Sequence, residues 1–124
     1  MEKSKDVEVR RVIDDDGNLI EEGDYINGVL NGKRTLWSFG GIKLGESEYL
    51  SGQLQGKCCL WNANGQKTLE SNYENGKYHG SYISWWDNGG KKEEGVYEKG
   101  ERVGKYYWYS ENGNLLSEHE YPCK

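Results

Sequence analysis

Few side chains in this sequence are suited to acid–base, nucleophilic or metal chemistry, and their spacing argues against each use. His79 and His119 are the only histidines, and Cys58, Cys59 and Cys123 the only cysteines. No Cys-x-x-Cys or His-x-x-x-His spacing is present, so neither a zinc site nor any other metal or cofactor is expected. Adjacent cysteines bridge poorly and an odd count makes a poor disulfide framework, which leaves free thiols in a reducing cytoplasm. Glycoside hydrolysis needs a pair of carboxylates, and Glu22, Glu46, Glu70, Glu94 and Glu118 supply a row of them. A residue that recurs once per unit reads as a structural position, not a reacting one. The glycine-rich stretches lack a Gly-Lys-Ser/Thr ending and open no helix, so they are not phosphate loops. A nucleophile, its base and its orienting partner should stand apart from any repeat. None does, and no enzyme is expected.

The elements that hold these side chains follow from the repeat itself. Tyrosines fall at Tyr25, Tyr49, Tyr73, Tyr97 and Tyr121, a step of 24 residues that the glutamates share. Gly17, Gly41, Gly65, Gly89 and Gly113 keep the same step, as do Gly28, Gly52, Gly76, Gly100 and Gly32, Gly56, Gly80, Gly104. An aromatic column, Trp37, Trp61, Trp85 and Tyr109, completes the unit. Each unit has a short run ending on that aromatic, then Asn-Gly or a relative, then a return run ending on the tyrosine. Asn-Gly between strand-like runs signals a hairpin, because both residues tolerate positive φ. The Gly-x-x-x-Gly stretch after the tyrosine reads as a linker between hairpins, being too glycine-rich for a strand interior. So many glycines exclude helices. The expected fold is all-β, an elongated and twisted antiparallel sheet of tandem hairpins. Ten strands side by side would extend roughly 45–50 Å.

The chain divides as one repeat domain. Residues 1–24 form an N-terminal cap hairpin, with Ile13 in the Trp column and Asp16-Gly17 in the turn column. Residues 25–48, 49–72, 73–96 and 97–120 are full repeats, and 121–124 a C-terminal stub whose Pro122 suits an edge. Leu, Ile, Val and Phe total only 22 of 124 residues, a level that alone would suggest disorder. Five Trp and ten Tyr compensate, since each buried ring hides roughly 150–250 Å². The opening Met1-Glu2-Lys3-Ser4-Lys5-Asp6 holds no apolar run, so no secretory signal is expected. The net charge of −5 sits wholly in residues 1–24, which hold four basic and nine acidic residues around Asp14-Asp15-Asp16. An acidic end and a neutral remainder disfavour nucleic acid and anionic lipid as partners.

The pattern of Tyr73-Glu74-Asn75-Gly76-Lys77-Tyr78-His79-Gly80, repeated from Tyr97 to Gly104, resembles the MORN repeat. With Tyr-x-x-Gly at a 24-residue step it looks most like the bacterial variant of the YwqK-like antitoxin family. The resemblance spans about residues 8–124. It implies a hairpin-repeat fold, no catalytic residues, and a cytoplasmic antitoxin or immunity-type protein that neutralises a toxin by binding it.

A specific function should lie where the repeats differ. Positions 34, 36 and 38 share a face opposite the Trp37 column. They read Arg34, Leu36, Ser38 and Cys58, Leu60, Asn62, then Tyr82, Ser84, Trp86 and Tyr106, Trp108, Ser110. Tyr82, Trp86, Tyr106 and Trp108 are therefore the candidate anchors for a protein partner, unless the rings merely cover one another. Asp14, Asp15 and Asp16 would steer a basic toxin towards them. The alternative function is a scaffold that self-associates through open sheet edges or docks at a membrane surface.

Overall fold

The computed structural model describes residues 6–123. The opening segment read as lacking a signal, and the last residue of the stub, lie outside the described residues. Eleven strands follow one another: β1 (Glu8–Ile13), β2 (Leu19–Ile26), β3 (Val29–Trp37), β4 (Lys43–Leu50), β5 (Gln53–Trp61), β6 (Lys67–Glu74), β7 (Lys77–Tyr78), β8 (Gly80–Trp85), β9 (Lys91–Glu98), β10 (Glu101–Tyr109) and β11 (Leu115–Tyr121). All pair antiparallel with their sequence neighbours in a single sheet, and β7 and β8 share one place in it, both pairing with β6. The result is five hairpins side by side, as the repeat requires. Among the described residues no second layer covers either face. The accessible surface of 8186 Å² is about a fifth above the roughly 6,800 Å² expected for a compact monomer of this mass.

The two ends of the hairpins are built differently. At one end Gly17, Gly41, Gly65, Gly89 and Gly113 have φ between 82° and 93°. In the third turn, Gly65 N–H donates to the Asn62 carbonyl at 3.0 Å, and Asn62 N–H to the Gln66 carbonyl at 2.8 Å. Among the described residues Asn64, Asn88 and Asn112 do not share the positive φ of their glycines. These are therefore type I turns closed by a glycine bulge. The bulge shifts the register beside each column aromatic, as between Leu36 and Trp37.

At the other end the expected linker is instead a second set of tight hairpin turns. Asn27-Gly28, Ser51-Gly52, Asn75-Gly76 and Lys99-Gly100 all have both residues at positive φ, the two-residue type I′ arrangement. Strand pairing resumes at once, with Ile26 opposite Val29 and Leu50 opposite Gln53. The second glycine column falls inside the strands as a bulge. At Gly56 the φ of 103° lies in the region that L side chains rarely adopt, and this is what holds glycine there. Successive turns are stitched together: Gly52, Gly76 and Gly100 N–H groups donate to the Leu30, Leu54 and Tyr78 carbonyls at 2.8–3.0 Å. Gln55 Oε1 and His79 Nδ1 accept the next turn's N–H from Asn75 and Lys99, at 2.8 and 3.2 Å. His79 also lies 3.0 Å from the Glu74 carboxylate, so its role is to join turns.

The face bearing Trp37, Trp61, Trp85 and Tyr109 is amphipathic, not a stack of indoles. Lys43, Lys67 and Lys91 pair directly beside the three tryptophans. Lys43 and Lys67 flank the Trp61 ring at 5.4 and 5.9 Å. Same-column rings lie two strands apart, roughly 9.6 Å, which leaves room for a lysine between them. The glutamate column neutralises these cations: Glu46 takes Lys43 and Lys33, and Glu70 takes Lys67 and Lys57. Hydrogen bonds from Lys43 and Lys67 hold the Glu46 and Glu70 carboxyls below their ordinary pKa. The glutamate column is thus used to pair the lysines of this face.

Candidate functional site: the C-terminal aromatic face

The opposite face carries the tyrosine column, and in its C-terminal half the rings merge into one layer. Tyr73 lies 4.8 Å from Tyr78, which lies 4.9 Å from Tyr97 and 5.4 Å from Tyr82. Tyr106 touches Tyr82, Tyr97, Trp108 and Tyr121, with centroids 4.8–6.5 Å apart. Tilted and edge-to-face contacts of this kind stabilise beyond the area they bury. Cross-strand geometry makes room for them. Tyr82 pairs with Gly95, and the Tyr106 ring lies directly over Gly95. Gly95 belongs to a small-residue column in which Gly23 pairs with Arg34, Ser47 with Arg34 and Cys58, Ser71 with Cys58, and Gly95 with Tyr82. In the middle units the same site is filled by Cys58 against Ser47 and Ser71, with Cys58 Sγ 3.2 Å from Ser47 Oγ. The cysteines are free thiols.

Tyr106 has no exposed surface, so it cannot itself touch a partner. It seats the layer, and burial pushes its phenol well above the ordinary pKa. Burial also raises Tyr82, to about 12. Trp108 and Tyr82 remain half-buried at the surface of the cluster. Trp108 Nε1 donates to Glu93 Oε1 at 3.0 Å, and the Tyr106 hydroxyl to the same oxygen at 3.4 Å.

Arg102 lies across the rings, its guanidinium 4.6 Å from Tyr106, 5.5 Å from Trp108 and 5.9 Å from Tyr97. Its nearest carboxylate, Glu93, is 3.8 Å away, beyond hydrogen-bonding distance, and Arg102 Nε is buried without an acceptor. This contrasts with Arg34 in the N-terminal half, which donates twice to Glu21 at 3.2 Å. Beside Arg102 opens a cleft of about 670 Å³ lined by Tyr78, Tyr97, Gly100, Glu101, Tyr121 and Pro122. Tyr78 and Arg102 were not among the expected anchors. Their signal was present in the column Leu30, Leu54, Tyr78, Arg102, which turns from aliphatic to aromatic and cationic in step with Tyr82 and Tyr106.

Trp86 stands apart from this layer. Its indole Nε1 donates to the Tyr109 carbonyl at 3.1 Å, and Lys92 sits 4.7 Å over its ring. It occupies a column that elsewhere caps the turn. Asp14 Oδ1 accepts from the Asp16 and Asn18 N–H groups, and Asn62 Oδ1 from Asn64 and Gln66. Ser38 and Ser110 each accept one such bond. Trp86 gives up that cap. Asp14 is thus engaged in its own turn, and the bond from Asn18 N–H lowers its pKa. Asp15 and Asp16 are exposed.

Among the described residues no group of three or more His, Cys, Asp and Glu side chains is placed to hold a metal. What the fold defines is a tandem β-hairpin repeat protein with one aromatic face. Residues 102–121, the last hairpin and the edge of the aromatic layer, match the family model of a MORN repeat variant. No curated protein matches the sequence.

Proposed function

We propose that this chain is a non-catalytic binding module whose C-terminal aromatic face holds a protein partner, and that it acts in the cytoplasm as an antitoxin-type neutraliser. The observation that carries the reading is the ring layer around Arg102. It is wide and uncovered, and it flanks a cleft walled by the Arg102 guanidinium and the rings of Tyr78, Tyr97 and Tyr121. Rings of this type supply contact area at low entropic cost, and Arg, Tyr and Trp dominate binding hot spots. Tyr78, Tyr82, Tyr97, Arg102 and Trp108 form the contact surface, with Tyr106 as its support. Trp86 extends it towards the turns, and Asp15 and Asp16 accelerate encounter with a basic partner.

The test is co-expression with the product of the adjacent gene. Wild-type chain should relieve growth inhibition by that product and bind it directly. Tyr97→Ala and Trp108→Ala, confirmed folded, should bind roughly 30-fold more weakly. A harmless neighbour, or folded variants with unchanged affinity, would refute it. A second reading, self-association, rests on the apolar side chains exposed at the two ends of the sheet, Val9, Val12 and Ile13 on β1 and Leu115 and Leu116 on β11. It predicts a mass that rises with concentration in sedimentation.

A further inference from the structure

Five glycine-bulge turns line one long edge of the sheet, and one of them has the wrong chemistry for a turn. Their residues are 14–18, 38–42, 62–66, 86–90 and 110–114, and together they hold five acidic side chains and no Lys or Arg. The position just after the capping column reads Asp15, Phe39, Ala63, Asp87, Glu111. At Phe39 the polar pattern breaks, and Ile42 replaces the Asn, Gln or Gly of the other turns. Phe39 is 76% exposed, the most exposed large apolar side chain among the described residues. It does not fold back on the sheet. Two clefts open on either side of it, sharing Phe39 and Trp37 as walls. One, of about 430 Å³, is completed by Asn18, Leu19 and Gly40-Gly41, and the other, of about 410 Å³, by Ile20, Leu36 and Leu44.

We infer that the Phe39 turn is a second docking surface, separate from the aromatic face, and that it takes a protein segment carrying apolar side chains beside Lys or Arg. Phe39 and the two clefts supply the apolar part of the contact. Asp15 and Asp16, exposed on the neighbouring turn, supply the charge complement, since Glu21 in the cleft is already paired with Arg34. The nearest cation on the following strand, Lys43, is engaged by Glu46, so the edge presents a negative field. That field disfavours the other natural occupant of an exposed Phe-Gly-Gly-Ile tip, an anionic lipid surface.

The full chain carries the test, with Phe39→Asp as the variant. Aspartate occupies the same position in two other turns, Asp15 and Asp87, so the substitution keeps the turn. The probes are a short peptide of alternating leucine and lysine, the same peptide with glutamate for lysine, and phosphatidylcholine vesicles with and without phosphatidylglycerol. Amide shifts report the site and titration the affinity. The leucine–lysine peptide should move the amides of Phe39, Gly40 and Gly41, and should bind roughly 30-fold more weakly to Phe39→Asp. Its affinity should fall as salt rises from about 0.01 to 1 M, where the screening length shrinks from about 30 to 3 Å. Trp108→Ala should leave that affinity unchanged, which separates this surface from the aromatic face. Peptide shifts elsewhere, an unaffected Phe39→Asp, equal binding of the glutamate peptide, or preferential binding to vesicles would each overturn the inference.

Discussion

Replacing Gly95 by alanine isolates the contact on which the aromatic layer depends. A Cβ at Gly95 would lie 2.1 Å from Tyr106 Cδ2, 2.5 Å from Cε2 and 2.8 Å from Cγ. These atoms belong to a rigid ring that is fully buried among Tyr82, Tyr97, Trp108 and Tyr121, so it has nowhere to turn. Gly95 has no positive φ, hence backbone strain contributes nothing and the cost is overpacking, about 2–3 kcal/mol. With a urea slope of about 1–3 kcal/mol/M, the midpoint should fall by about 0.7–3 M at constant slope. Removing the ring removes the clash. Tyr106→Ala alone should cost about 3–5 kcal/mol, and adding Gly95→Ala to it should cost under about 0.5 kcal/mol more, strongly non-additive. Gly113→Ala is the control: its φ is 88° with nothing within 4 Å of the added Cβ, so its penalty of about 1–2 kcal/mol is conformational and should add in full to Tyr106→Ala. If Gly95→Ala left the midpoint unmoved, or cost as much without the Tyr106 ring as with it, the packing argument would fail.

Three further outcomes follow from the same geometry. Tyr106→Ala should destabilise more than Trp61→Ala despite the smaller ring, because Trp61 is half-buried between lysines; equilibrium denaturation of both variants decides the order. Asn62→Ala removes the acceptor for two turn N–H groups and should cost about 1 kcal/mol, whereas in the Trp86 turn it is Asn88→Ala that should speed hydrogen exchange of the Gly90 amide, whose N–H Asn88 Oδ1 accepts at 2.9 Å. Depressed carboxyls at Glu46 and Glu70 contribute stability that is present above their unfolded pKa near 4.5 and lost as pH falls through the lower folded values. Raised phenols at Tyr82 and Tyr106 work at the other end. Stability should decline as pH rises above 10.0, the ordinary tyrosine value, towards the folded values, with tyrosinate absorbance appearing together with unfolding.

The 24-residue spacing by itself determined the number of hairpins, their order and the absence of helices. These are properties of strand length and turn chemistry, which neighbouring residues decide locally. It also marked the C-terminal half as different, through Tyr82, Tyr106 and Trp108. It misplaced the turns that carry paired positive φ, assigning to Asn64-Gly65 what belongs to Asn27-Gly28 and its relatives. The reason is that Asn-Gly suits both a type I′ turn and a type I turn with a bulge, and loop length separates them only once the pairing is known. Burial was decided by the tertiary structure alone. In a sheet with no second layer, a side chain is covered by its neighbours across the strands and not by its own alternation. Tyr106 is therefore buried because Gly95 stands beneath it and Tyr121 beside it, residues 11 and 15 positions away in the sequence. Arg102 reaches the same rings from the start of β10, and Phe39 stays bare because no neighbouring strand extends over its turn.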